Sequence, residues 1–243
     1  EYRRQRQMCI RDRSSPTPPS AAPGRYTLYG APGSGATPVH AALTLIGLGD
    51  QVDTVDIATW EGDAERERIA DLNPMRQVPA LVLPSGELMT ESAAILLWLG
   101  DRHPEAGLCP APGDALRTQY LRWMVYLPAA IYSMFWVRDD PARLVPDKAA
   151  QPAMLERSAE RVAHCWRLMD TQIAAPSPYL LGERIGMLDL YVAVMSRWTP
   201  CRERFYREAP RMAEVVKRVD AEPRLAAFWA ERFPFTPGWE RGQ

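Results

Sequence analysis

Histidine and cysteine are scarce in this chain. The three histidines (His40, His103, His164) and four cysteines (Cys9, Cys109, Cys165, Cys201) lie scattered through 243 residues. No C-x-x-C pair occurs, and the adjacent His164-Cys165 has no partner set of four ligands, so neither a structural zinc nor any other metal is expected. The same scatter argues against a disulfide framework and suits a reducing compartment. Long apolar runs are missing too: none nears the roughly 20 residues that span a bilayer, and the N-terminal stretch lacks the apolar segment of a secretion signal. A cytoplasmic protein without a membrane partner is the expectation. Nor does one sign of charge dominate, with 29 basic residues against 30 acidic, so nucleic acid is not an expected partner. Pro32-Gly33-Ser34-Gly35 lacks the spacing and terminal Lys-Ser/Thr of a P-loop and is no dinucleotide fingerprint.

What is present is an ordinary globular composition, 47% hydrophobic and 24% charged, long enough to bury roughly 70–75% of the unfolded chain's surface. Residues 1–24 carry five Arg against Glu1 and Asp12, a net of +3 that leaves −4 for the remainder of a chain whose total is −1. Their Ser/Pro/Ala ending cannot build a core, and they read as a disordered or non-native leader. From Arg25 the pattern alternates: a strand at 25–30, a breaking loop at 31–38, helical spacing from Val39, a strand at 51–57, a charged helix at 61–72, strands at 79–83 and 87–89 around Pro84-Ser85-Gly86, and a helix at 90–104. Residues 103–113, with three Pro and two Gly, mark a linker. Beyond it the strand signal fades, and helices are expected at 114–139, 151–173, 187–199, 208–218 and 223–232. The fold class is therefore α/β plus all-α, with a first unit at 25–102, a helical unit at 114–232 and a tail at 233–243.

The densest chemistry sits in NPMRQVPALVLPSGELMTESAAILLWL, residues 73–99. Pro79 pushes Gln77 and Val78 out of the α region and leaves backbone polar groups at the start of a strand, where an extended ligand can add as another strand. Glu91 and Ser92 open a helix whose free amides favour an anion, while Glu91 can accept from an ammonium; a zwitterionic amino-acid head satisfies both. Read singly, Glu91 offsets the dipole and Ser92 caps or packs.

This segment resembles the glutathione site of the glutathione transferase family, through its Q-V-P and E-S elements, and the likeness covers most of 26–232. It implies a thioredoxin-like N-terminal domain holding glutathione, a helical domain bordering the electrophile, a cis Pro79, Val78 pairing its backbone with the cysteinyl unit, Gln77 beside it, and Glu91 and Ser92 receiving the γ-glutamyl end. It also implies a homodimer. LYGAPGSGATPVHAALTLIGL, residues 28–48, resembles bacterial beta-like members, with Gly35 where they carry a characteristic cysteine and Ala36 where they often carry Ser. Without that sulfur, mixed-disulfide chemistry is not expected.

Ser34 is the nearest hydroxyl: it either donates to the glutathione sulfur, favouring thiolate, or joins Thr37 in capping the first helix. Tyr29 reads as packing. The stripe Tyr120, Trp123, Tyr126, Tyr132 and Trp136, interrupted by Pro128, reads mainly as interhelical core. Alignment on Trp123 places Tyr132 where the beta group has a site histidine, which makes it a second candidate donor. Asp189, three residues after Gly186, reads as a structural cap, with Gly186 lacking the acceptor that Ser would supply. RERFYREAPR, residues 202–211, reads as a solvated helix junction. The expected function is conjugation of the glutathione thiolate, a co-substrate, to a small apolar electrophile; the alternatives are a glutathione-dependent isomerase or lyase, or a non-catalytic ligand-binding protein.

Overall fold

The computed structural model describes residues 24–173, 178–198 and 200–241. The leader therefore lies outside the described residues, except for Gly24. Strand β1 (Tyr26–Tyr29) pairs in parallel with β2 (Val52–Val55), and a parallel pair needs a crossover, here helix α1 (Ala36–Ile46). Strand β3 (Ala80–Val82) pairs antiparallel with β1 and with β4 (Leu88–Thr90), giving the order β2-β1-β3-β4. Helix α2 (Asp63–Glu67) precedes β3, and α3 (Ser92–Arg102) follows β4. The strand period divides β1: Tyr26 and Leu28 enter the large core, while Tyr29 packs on the opposite face with Ile57, Ile69, Val78, Ala80 and Val82. This is the thioredoxin-like arrangement.

The helical half comprises α4 (Arg117–Tyr126), a π-helical stretch (Leu127–Tyr132), α5 (Ser133–Asp139), α6 (Gln151–Gln172), α7 (Met187–Met195), α8 (Arg202–Glu208), α9 (Pro210–Asp220) and α10 (Ala226–Arg232). One apolar core runs through both halves, because α1 packs against both α3 and α7. All nine residues of α7 are buried, as its almost uninterrupted apolar sequence requires.

Several elements depart from expectation for local reasons. Helix α2 stops at Glu67 instead of reaching residue 72, because the next turns tighten to i→i+3 bonds (Ile69 N to Arg66 O, Ala70 N to Glu67 O) and deliver Ile69 into the smaller core. The expected 114–139 helix is continuous only through its π stretch; Pro128 has no N–H for the α ladder, and the wider turn accommodates its absence. The charge-rich 202–211 stretch is a helix junction with Glu203, Arg207 and Arg211 exposed, but it is not solvated throughout. Arg202 is fully buried, its guanidinium donating to Asp220 Oδ2 at 2.6 Å and to Ala193 O at 2.7 Å, and Phe205 beside it is in the core. The charge is tolerated inside because a carboxylate and a carbonyl meet it.

Asp189 is buried and accepts from Leu180 N and Gly186 N, each at 2.8 Å. Burial pushes its carboxyl up to about 7 against those donors. Gly186 is no deficient cap: a Cβ there would stand 2.8 Å from Leu108 O, which itself accepts from Met187 N. A serine cannot be seated without moving the linker.

Replacing Asp189 with Ala strands two backbone donors, and chemical denaturation is expected to show a loss of about 2–4 kcal/mol. His40 gives a pH test. Burial chiefly, with help from Arg232, lowers its pKa to about 4 from 6.5. The unfolded chain then binds the proton more readily, so the His40 contribution is intact above pH 6.5 and is lost as pH falls toward 4. Thermal unfolding from pH 7 to 4 is expected to show that decline, flattened in His40→Gln.

Candidate active site

A cleft of about 1050 Å³ lies between the sheet and the continuous helix formed by α4, the π stretch and α5. Its sheet-side wall is built by three loops. Asn73 is buried and organises the first: its side-chain amide donates to Gln77 O at 2.9 Å while its Oδ1 accepts from Met75 N at 3.1 Å. This holds the turn that leads into the cis Val78-Pro79 bond. The β3 ladder begins at Ala80, so the Val78 peptide groups stand outside it, beside the cleft.

Glu91 forms the second edge in an unusual backbone state, φ 65° and ψ 104°. A non-glycine residue there costs on the order of 1–3 kcal/mol, and such outliers gather at ligand clamps. Ser92 follows as the first residue of α3, where unpaired amides carry partial positive charge. Its buried Oγ lies 2.7 Å from Tyr191 Oη of α7.

The third edge is the loop before α1. Ser34 Oγ accepts from Ala36 N at 3.1 Å, and Thr37 Oγ1 accepts from Gly33 N at 2.8 Å, so both hydroxyls brace the loop. From the helical half, Trp198 Nε1 donates to Gly33 O at 2.6 Å, and the Phe233 ring lies against Gly33.

Gly35 and Tyr132 meet at the centre. A Cβ on Gly35 would fall 2.4 Å from Tyr132 Oη and 3.1 Å from Pro79 Cδ. The tyrosine hydroxyl thus fills the space a side chain at 35 would need. Burial raises the phenol above its ordinary pKa, against the lowering influence of the neighbouring Gly35 N–H and with the charges of Asp139 and Glu91 adding to it. Tyr132 is therefore protonated at neutral pH and has a proton to donate into the cleft it lines. The ring is held by Trp198 (centroids 4.7 Å apart), which also packs on Phe135.

The outer wall is aromatic: Phe135, Trp136, Trp198, Phe233 and Trp239 line it. Residues 233–239, expected as a tail, are part of this wall. Arg197 donates to Phe233 O at 2.8 Å and Pro234 O at 2.7 Å, with its guanidinium over the rings of Phe233, Phe235 and Trp239. Three aromatics within seven residues carry too much apolar surface to stay in solvent, and the cation–π stack gives them an anchor.

All seven residues singled out from the sequence, Ser34, Gln77, Val78, Pro79, Glu91, Ser92 and Tyr132, line this one cleft. Of the aromatic stripe, Tyr120 and Trp123 are core, Tyr126 bonds Cys165 O, and Tyr132 and Trp136 reach the cleft. Sequence reasoning missed Asn73, Tyr191, Arg197 and Trp198. Asn73 carried a signal, an Asn-Pro turn just before Gln77, whereas the other three act across distances that no local pattern reports. Among the described residues no group of three or more potential ligands could hold a metal ion, and no helix is long and apolar enough to cross a membrane.

Residues 35–102 match the family model for the glutathione S-transferase N-terminal domain. The uncharacterized GST-like protein YncG of Escherichia coli K12 is 35% identical over 198 residues, covering 82% of this chain and 94% of YncG. A glutathione transferase homologue from Sulfitobacter, solved with bound glutathione, superposes with a TM-score of 0.74 at 24% identity, over 86% of this chain and 98% of that one. The maleylacetoacetate isomerase of Pseudomonas aeruginosa is 36% identical over 92 residues, 38% of this chain and 42% of the isomerase. The chain belongs to the glutathione S-transferase family.

Glu91 separates stability from binding. Glu91→Gly removes both the strained Cβ and the carboxylate, so denaturant unfolding is expected to show about 1 kcal/mol more stability, and, if the expected role of Glu91 holds, calorimetric titration is expected to show glutathione bound about tenfold more weakly.

Proposed function

We propose that this protein is a glutathione transferase that joins the sulfur of glutathione to a small apolar electrophile in this cleft. The carrying observation is the convergence of Tyr132 Oη, Gly35 and Pro79 at the start of α1. On this reading the 25–102 unit holds the tripeptide: Val78 pairs with its cysteinyl peptide group, Gln77 flanks it, and Glu91 and Ser92 take the ammonium and carboxylate of the γ-glutamyl end. The 114–232 unit and the 233–239 segment form the apolar half, where Trp136 and Phe135 accept the second substrate. Residues 103–113 link the two.

The thiol lies near the N-terminus of α1, where backbone amides favour negative charge. Tyr132 donates its proton to the sulfur in a hydrogen bond, and Ser34, whose oxygen already accepts from Ala36, offers a second donor. A hydrogen bond to a charged group is worth about 1.5–3 kcal/mol, so one such donor lowers the thiol pKa by about 1–2 units. The thiol proton leaves to solvent, and the thiolate attacks the electrophilic carbon, forming the C–S bond either as the leaving group departs with its electron pair or as the π bond of an activated double bond breaks and the carbanion so formed takes a proton from solvent. Water exclusion by the aromatic wall strengthens every such interaction.

The segment similar to maleylacetoacetate isomerase supports a second reading, in which the same thiolate adds to a conjugated double bond and leaves again after rotation. A binding protein without thiol chemistry is the non-enzymatic alternative. A cytoplasmic homodimer belongs to the proposal as well; Leu121 and Val125 expose an apolar strip on α4 that suits a second copy.

Ultraviolet titration of the thiolate in the bound complex tests thiol activation. The bound thiol is expected to ionise about 1–2 units below free glutathione, Tyr132→Phe to return most of that shift and Ser34→Ala a smaller part. An unshifted thiol in the wild type would favour the binding-protein alternative. Product analysis with a displaceable aryl halide and with a cis-dienoic acid separates conjugation from isomerisation.

A further inference from the structure

The contact between Ser92 and Tyr191 joins the head of the proposed glutathione site to the middle of the helical half. Ser92 is 4% exposed and Tyr191 wholly buried, and their hydroxyl oxygens are 2.7 Å apart. Either could donate, and the surroundings decide between them. Among the described residues Tyr191 Oη has no other hydrogen-bond partner, and α7 around it is apolar. If Ser92 donated to Tyr191, the phenolic proton would be buried without an acceptor, at a cost of about 1–3 kcal/mol. If Tyr191 donates, both needs are met: the phenol, the stronger acid, is satisfied, and the Ser92 proton is left for whatever occupies the cleft that Ser92 lines.

We infer that Tyr191 is a positioning residue for glutathione, donating to Ser92 Oγ so that the Ser92 hydroxyl is turned and polarised toward the ligand's γ-glutamyl carboxylate. Accepting one hydrogen bond strengthens the donation of the next, which suits an anionic acceptor more than a neutral one. The charges facing the pair are consistent with a standing donor. Burial raises the Tyr191 pKa above its ordinary value, against the lowering effect of the Ser92 hydrogen bond and with smaller additions from Tyr132 and Glu91, so the phenol keeps its proton throughout the neutral range. Glu91, one residue before Ser92, cannot replace the carboxylate as acceptor without giving up the ammonium assigned to it. Head-group recognition is thereby shared between α3 and α7.

This inference rests on the glutathione reading above and is separable from it. Calorimetric titration of the full chain is made with glutathione and with its analogue lacking the γ-glutamyl α-carboxylate, for wild type, Tyr191→Phe and Ser92→Ala. Tyr191→Phe is expected to bind glutathione about tenfold more weakly, which is 1.4 kcal/mol, yet to bind the decarboxylated analogue as wild type does. In turnover the glutathione KM rises with kcat unchanged, since ground and transition states share the head-group contact. Ser92→Ala, made alone and with Tyr191→Phe, is expected to give one and the same loss, because the phenol acts only through the serine. Equal weakening for both ligands would mark a packing defect and overturn the relay, as would Tyr191→Phe binding glutathione like wild type. Failure of the wild type to bind glutathione at all would overturn the functional reading itself, and the relay with it.

Discussion

The space beside Gly35 is claimed by Tyr132, and the organisation of the cleft depends on that contact. A side chain on residue 35 would stand 2.4 Å from the phenolic oxygen, so the two positions are sterically linked: a group on α1 and a hydroxyl from the helical half cannot both occupy the point beside Pro79. The resemblance to beta-like transferases puts a cysteine on the α1 side of that point. Here the helical half supplies the polar atom, and the loop supplies emptiness. Everything that holds Tyr132 in place then bears on the proposed chemistry: the π stretch that Pro128 brings about, the Trp198 ring against it, and the Trp198 indole bond to Gly33 that clamps the loop.

The same dependence on both halves recurs elsewhere in the cleft. Gly33 is held by Trp198 and covered by Phe233, Arg197 draws residues 233–239 over the aromatic wall, and Ser92 leans on Tyr191 of α7. A continuous core through α1, α3 and α7 makes such sharing affordable, because the halves cannot shift without breaking it. The stiffness also supports a costly local state. Glu91 stays at positive φ since β4 fixes the residue before it and α3 the residues after.

Much of this was legible in the residues. Short aromatic, β-branched and apolar runs bounded by turn residues located the four strands of the described sheet and the 3.6 period most of the helices, and Gln77-Val78-Pro79 with Glu91-Ser92 pointed to two edges of one cleft, because an X-Pro step and a helix start act on their own neighbours. The rest depends on distance in space. Arg202 looked solvated because its neighbours in sequence are charged, whereas Asp220, 18 residues on, receives it in the core. The aromatic run on α4 and α5 has one helical register on paper; the π stretch changes it beyond Trp123, which is core, and Tyr132 and Trp136 reach the cleft. The C-terminal aromatics were read as a tail since nothing local names Arg197 as their anchor.

In the proposed complex a tyrosine hydroxyl from the helical half meets the sulfur at the place left free by Gly35. A crystal structure of the glutathione complex examines this contact most directly. The sulfur is expected within hydrogen-bonding distance of Tyr132 Oη, above the start of α1, with the cysteinyl peptide group paired to Val78. A sulfur turned away from Tyr132, or separated from it by water while Val78 still pairs with the tripeptide, would contradict it.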